Sequence, residues 1–308
     1  MMIFRKVRDF AVTALVFCFL TALAQGFDAR AVQPLTIPPI APGNLRLMSW
    51  NIEFLGARTP PRTEAQLALL SDRISSFNAA AMTLQEITSV DTFTSVVAAV
   101  GGNWVGLRPG VENAIIYDSS KLEKLSSGVM SALANEPYTA YPGAVHRKPV
   151  TAVFRPVGGN PDEKFRLIGI HCHWSDASVR EAEGTWLKNR VAELLADPAE
   201  PKAIFVMGDT NSWPGSDLQN KIIEGGYLER LLKANGENTA VLTYGPIDHC
   251  FTTALGKAKL ASTTAFVIRA DEYGETATEF EATYSDHYPI LVDYVPQPAS
   301  ANAWEIYD

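Results

Sequence analysis

The chain has 308 residues, 47% of them hydrophobic and 19% charged, with a formal net charge of -8. This is an ordinary globular composition that fits one large domain or two modest ones. The acidic balance argues against a broad basic groove for nucleic acid, although a divalent ion and a few local Arg or Lys side chains can still neutralise one phosphate.

Arg5, Lys6 and Arg8 precede a continuous apolar run from Phe10 to Leu23 that closes on Ala22-Leu23-Ala24. A charged start, an apolar middle and an A-x-A end predict a secretory signal over residues 1–24, and hence a secreted or periplasmic protein. The run is shorter than the roughly 20 residues a membrane-spanning helix needs. No later segment could span a bilayer, and Cys18 sits inside the apolar run, where it does not mark a lipoprotein. Loss of this segment removes three basic residues and one acid, Asp9, taking the formal charge from -8 to -10. Cys172 and Cys250 then remain; they could pair in an oxidising compartment or stay as buried thiols.

Residues 25–43 contain Pro34, Pro38, Pro39 and Pro42, which no continuous helix or central strand accepts, so an exposed linker is expected there. A folded domain is expected over 44–296, with a short tail over 297–308. Within it, the apolar patterning predicts a strand at Leu45–Asn51, a helix at Thr63–Phe77 with Leu67, Leu70 and Ile74 on one face, and a strand at Ala80–Gln85. A helix at Asp91–Val100 follows, then strands at Ala114–Tyr117, Val150–Phe154 and Phe165–Cys172. The longest helix is expected at Ala177–Leu195, a strand at Ala203–Met207 and a short helix after Pro214. Strands near Asp248–Thr252, Thr264–Ile268 and Pro289–Val295 complete the chain. No repeat, heptad or low-complexity block interrupts this. Hairpin spacings mixed with intervening helices favour two packed sheets with helices outside.

Chemistry-bearing residues gather at the ends of these strands. Asn51 closes the first strand and Glu86 the next major one, both oxygen donors suited to a hard cation, although an Asn also holds turns and a Glu also caps helices. Gly208-Asp209-Thr210-Asn211 follows the apolar run Ala203–Met207, and in an extended segment Asp209 and Asn211 face one side. Ser285-Asp286-His287 runs into Tyr288-Pro289-Ile290. Asp248 opens another strand and could hold a histidine in one tautomer and stabilise its protonated form. His171 and His173 end the strand before the longest helix; a zinc site made from them and a cysteine is the competing reading, but it lacks a CxxC or HExxH partner.

In this order, WNI at Asn51, LQE at Glu86, the histidine after an apolar strand, GDTN at 208–211, ID at Asp248 and SDH at 285–287 together resemble the endonuclease/exonuclease/phosphatase superfamily, from Leu45 to Val295. The resemblance implies an α+β fold, a four-layer α/β/β/α sandwich of two packed mixed β-sheets with outer helices, and Mg²⁺-dependent phosphoester hydrolysis, with Mn²⁺ or Ca²⁺ as alternatives. It assigns the metal to Glu86, with Asn51 and Asp286 nearby, the attacking water to Asp209, the phosphate to Asn211, and a phosphate-contacting imidazole to His287 paired with Asp248. Arg147, in an R-x-P strand entrance, becomes a phosphate clamp or a solvated surface residue. Both His171 and His173 match the family's histidine; His173 is preferred, leaving His171 a polar position beside the phosphate. The expected substrate is a phosphodiester, with nucleic acid ahead of lipid or inositol phosphate, and the expected form is a monomer. A non-catalytic binding protein on the same fold is the rival from another class. Trp174 and Trp213 read as walls of the site that stack on a base or simply pack.

Overall fold

The computed structural model describes residues 37–130, 147–269 and 275–297, all within the compact unit Pro34–Asp308. The expected signal over 1–24, most of the linker and nearly all of the 297–308 tail lie outside the described residues.

The chain order is β1 (Leu45–Leu55), α1 (Glu64–Ser76), β2 (Ala81–Ile87), α2 (Val90–Val100), β3 (Trp104–Leu107), β4 (Glu112–Asp118), β5 (Leu122–Val129), β6 (Val150–Pro156) and β7 (Phe165–His171). It continues with α3 (Ala177–Ala196), β8 (Ala203–Asp209), α4 (Asp217–Ile223), β9 (Glu229–Arg230), β10 (Asp248–Thr252), α5 (Ala254–Ala258), β11 (Phe266–Val267), α6 (Ala277–Thr283) and β12 (Ile290–Tyr294). Two six-stranded sheets result, ordered β11-β12-β1-β2-β4-β3 and β5-β6-β7-β8-β10-β9. Each is mixed, as the expected sandwich requires. No described helix is long and apolar enough to cross a membrane.

Both sheets have one plan. A parallel pair sits at the centre, β1 with β2 in one and β7 with β8 in the other, and antiparallel neighbours flank it. Parallel neighbours need a helical crossover, which α1 and α3 supply. Their starts are encoded locally: Thr63 and Gln66 form a reciprocal capping box for α1, and Asp176 caps α3 by accepting from Ser178 and Val179 N–H.

The central strands read as unbroken apolar runs because both of their faces are covered. Along β8, Ala203, Phe205 and Met207 join the large core, whereas Ile204 and Val206 join a second cluster with Leu187, Val191, Leu194, Leu218 and Ile222 of α3 and α4. Gly208 is fixed by the neighbouring strand, since a Cβ there would lie 2.0 Å from the Ile170 carbonyl oxygen. The plan also explains why the site residues cluster. The C-terminal ends of the central strands and the N-terminal ends of their antiparallel neighbours meet at one pole, where such sheets bind ligands.

Candidate functional site

Strand register builds one row of the site directly. Asp209 pairs with His171 on β7 and with Asp248 on β10, so the three side chains stand side by side across the second sheet. The first sheet supplies the facing residues, and there the backbone is irregular. The register shifts between Asn51 and Leu55 on β1, and again between Gln85 and Ile87 on β2. Such bulges re-aim side chains. Gln85 keeps its place between the sheets, bonded to Ser49 and Thr83, while Glu86, at φ 62°, turns toward Asn51. Instead of ending at Asn51, β1 runs on through the bulge to Leu55.

Asn51 joins the sheets. Its Nδ2 donates to Glu86 Oε1 at 3.1 Å and to Asp209 Oδ2 at 3.2 Å, and its Oδ1 accepts from Glu53 N–H at 3.0 Å. Phe54 N–H donates to the other Glu86 oxygen at 3.0 Å. Asp209 Oδ1 accepts the Asn211 N–H at 2.7 Å, so the chain turns after β8 and does not stay extended; Asn211, at φ 47°, donates its Nδ2 to Cys172 O at 3.0 Å. This ties the β7 and β8 ends together.

Asp286 and His287 converge where the chain bends into β12. His287 Nδ1 lies 2.8 Å from Asp248 Oδ2, and its Nε2 lies 3.9 Å from Asp209 Oδ2 and 3.8 Å from Asp286 Oδ1. Burial opposes the imidazolium, but Asp248, helped by Asp209 and Asp286, overrides it and holds His287 well above its usual range. Burial raises the Asp209 carboxyl, and His287 only partly offsets this.

His171 is the opposite case. Arg147 Nη1 lies 2.8 Å from His171 Nε2, and because guanidinium only donates, that nitrogen accepts. Burial first, then the charges of Arg147 and His287, push His171 well below its usual range. Its Nε2 sits 3.6 Å from Asp209 Oδ2 and 3.8 Å from Glu86 Oε1, so His171 is the histidine whose ring enters the carboxylate cluster. His173 lies half-buried beyond the strand end, its Nδ1 accepting from Asp176 N–H at 3.0 Å. Arg147 is no solvated surface residue: its Nε donates to Glu112 Oε2 at 2.5 Å. Cys172 and Cys250 are separate buried thiols, and no zinc cluster of His171, His173 and a cysteine forms among the described residues.

Two contributors, Glu112 and Arg62, carry no short motif of their own. Glu112 orients Arg147. Arg62 donates to the carbonyls of Ile52, Glu53 and Tyr284, strapping the β1 bulge to the segment before Ser285. Ser285 Oγ donates to Asn51 O at 2.6 Å, and the Trp50 indole N–H donates to His287 O at 2.8 Å. Glu53 faces Asp286, and burial followed by that charge raises its carboxyl. Among the described non-glycine residues with left-handed φ, Glu53, Phe54, Glu86, Glu112 and Asn211 all belong to this pole, and only Asn78 does not. Concentrated backbone strain of this kind is a mark of functional sites.

The donor chemistry fits a hard divalent cation. Burial and then the charge of the half-exposed Asp286 raise Glu53, which Arg58 pairs at 3.2 Å; burial raises Glu86, with Asp286 adding to it, and the Asn51 amide is shared between two carboxylates. Arg62 is spent on backbone carbonyls. Asp209, Asp248 and His287 also bring ligand atoms within 4.8 Å of one another. Their imidazolium, however, already bonds Asp248 and would repel a cation, so the Glu86 side offers the better oxygen set.

No curated protein matches the chain. Solved structures share its fold at low identity. The human Nocturnin catalytic domain with bound sulfate has a TM-score of 0.55 at 13% identity, covering 84% of this chain and 97% of its own. A Bacteroides thetaiotaomicron mannosyl-6-phosphatase gives 0.58 at 17%, covering 80% and 98%. D. rerio TDP2 complexed with a single-strand DNA product gives 0.58 at 15%, covering 82% and 98%. The profile of the Endonuclease/Exonuclease/phosphatase family matches residues 48–287, which include every site residue described above, and the chain belongs to that family of phosphoester hydrolases.

Proposed function

We propose that this chain is a divalent-metal-dependent phosphodiesterase, and specifically a nuclease that cleaves DNA or RNA. The observation that carries the reading is the meeting of Glu86 and Asp209 on the Asn51 amide, with the His287 ring held by Asp248 beside them. Glu86, Asn51 and Asp286 would hold Mg²⁺, which neutralises phosphate charge and polarises its oxygens. Asp209, fixed by Asn51 and the Asn211 N–H, orients water and accepts its proton. His287, with Nδ1 committed to Asp248, presents its Nε2–H to a phosphate or leaving oxygen. Asn211 steadies the phosphate, and Arg147 places a fixed positive charge beside neutral His171. His173 stands outside this arrangement. Nucleic acid is favoured by the single-strand DNA product held by a protein of the same fold.

The test is hydrolysis by the wild type, with Mg²⁺ or with EDTA, of DNA, RNA, sphingomyelin and inositol phosphates. Cleavage of DNA or RNA that EDTA abolishes is expected. Turnover confined to the lipid or inositol phosphates would replace the substrate assignment, and no turnover of any would favour a non-catalytic protein on this fold. The enzyme is further proposed to work as a secreted or periplasmic monomer after loss of residues 1–24. Its N-terminus should then begin at or near Gln25, and an intact N-terminus on cytoplasmic protein would refute this.

A further inference from the structure

Trp213 and Tyr244 stand beside the site yet remain 52% and 64% exposed, their rings edge to face with centroids 5.3 Å apart. Their loops are tightly held. The Ser212 carbonyl, between Asn211 and Trp213, lies 3.3 Å from His249 Nε2 and accepts from Gln219 Nε2 at 3.4 Å. Ser216 N–H bonds the Trp213 carbonyl at 3.1 Å. Asn238 staples the other loop, donating to the carbonyls of Ala240 and Thr243 and accepting from Gly245 N–H at 2.6 Å. Val241 N–H bonds the Asp286 carbonyl at 2.9 Å, which anchors that loop to the segment that leads into β12 of the other sheet. One ring therefore rides on the loop of Asp209 and Asn211, the other on a loop pinned to the Asp286-His287 segment. Ordering two loops in order to hold large apolar rings in water gains the fold little.

We propose that the Trp213–Tyr244 pair is a stacking platform for an unpaired base beside the scissile phosphate. The inference rests on the nuclease reading. Every base offers a π-face, and stacking needs no positive groove, which suits a chain of net charge -8. A duplex hides those faces except at its ends. The rival occupant is a lipid surface, because Leu242 on the same loop is also exposed.

The experiment is fluorescence anisotropy in EDTA, so that nothing is cleaved, with a labelled ten-nucleotide thymidylate strand, an abasic strand of equal length and phosphatidylcholine vesicles. The wild type should bind the thymidylate strand roughly tenfold more tightly than the abasic strand, the scale of one stacked base. Trp213→Ala and Tyr244→Ala should each shrink that ratio several-fold, and Trp213→Phe should keep most of it, with thermal unfolding confirming the fold of each variant. Equal affinity for the two strands, no binding of either, or a ratio that survives Trp213→Ala would overturn the platform, as would vesicle binding that alone depends on Trp213. The hydrolytic reading fails separately, through absence of bis(p-nitrophenyl) phosphate turnover with Mg²⁺ while the base preference persists.

Discussion

His287 keeps a charge that its burial opposes, because Asp248 sits 2.8 Å from its Nδ1. The two act as a unit, and losses within a unit do not add. The Asp248→Ala/His287→Ala double variant should therefore hydrolyse substrate within about threefold of His287→Ala alone. Steady-state rates of the two singles and the double decide this, and additive losses would break the pair. Glu183 presents the reverse situation, a buried carboxyl with no cation bonded to it among the described residues. Burial, only partly offset by the His173 N–H bond, raises it from the usual 4.5 to about 7. A raised folded-state value means stability that is fully present below the unfolded value and lost as pH rises through about 7. Glu183→Gln should thus raise the melting temperature at pH 8, with a ceiling of about 3 kcal/mol, and change little near pH 5. An equal effect at both pH values would contradict the account.

Among the elements, the β1-α1-β2 and β7-α3-β8 crossovers bring the strand ends that carry the candidate site together only if the strands approach closely. Gly208→Ala would drive a Cβ to 2.0 Å from a backbone oxygen that cannot turn away. It should lower stability by about 2–4 kcal/mol, read as a fall in denaturant midpoint with an unchanged slope. A neutral result would mean that β7 and β8 have room to separate. These buried strands and their helices were legible in the sequence because apolar runs, caps and turn residues agree there. β5 was not, since it is an edge strand whose residues Glu123 to Ser127 are all exposed and follow no alternation. α6 was hidden by its length of 7 residues, and only the Thr276–Glu279 capping box marks it. β3 and β9 are short edge strands stabilised by their neighbours rather than by their own pattern.

Across the whole molecule, each sheet contributes half of the site, which explains what short motifs could and could not disclose. Asn51, Glu86, Asp209, Asp248 and His287 were legible as candidates because each stands in or beside an apolar strand-like run. Glu112 and Arg62 were not, because their roles arise from contacts with residues 35 and 222 positions away. The preference for His173 rests on sequence without the β7–β8 register, which places His171, not His173, opposite Asp209. The proposed function turns on Glu86 holding a divalent ion on which hydrolysis depends. It is tested most directly by titrating EDTA-stripped protein with Mg²⁺ while following bis(p-nitrophenyl) phosphate turnover, for the wild type and for Glu86→Gln at matched thermal stability. No turnover is expected before Mg²⁺ is added, then saturation for the wild type, and for Glu86→Gln a rate lowered at least about tenfold with a higher Mg²⁺ requirement. Full turnover in EDTA, or a Glu86→Gln titration that overlays the wild type, would contradict it.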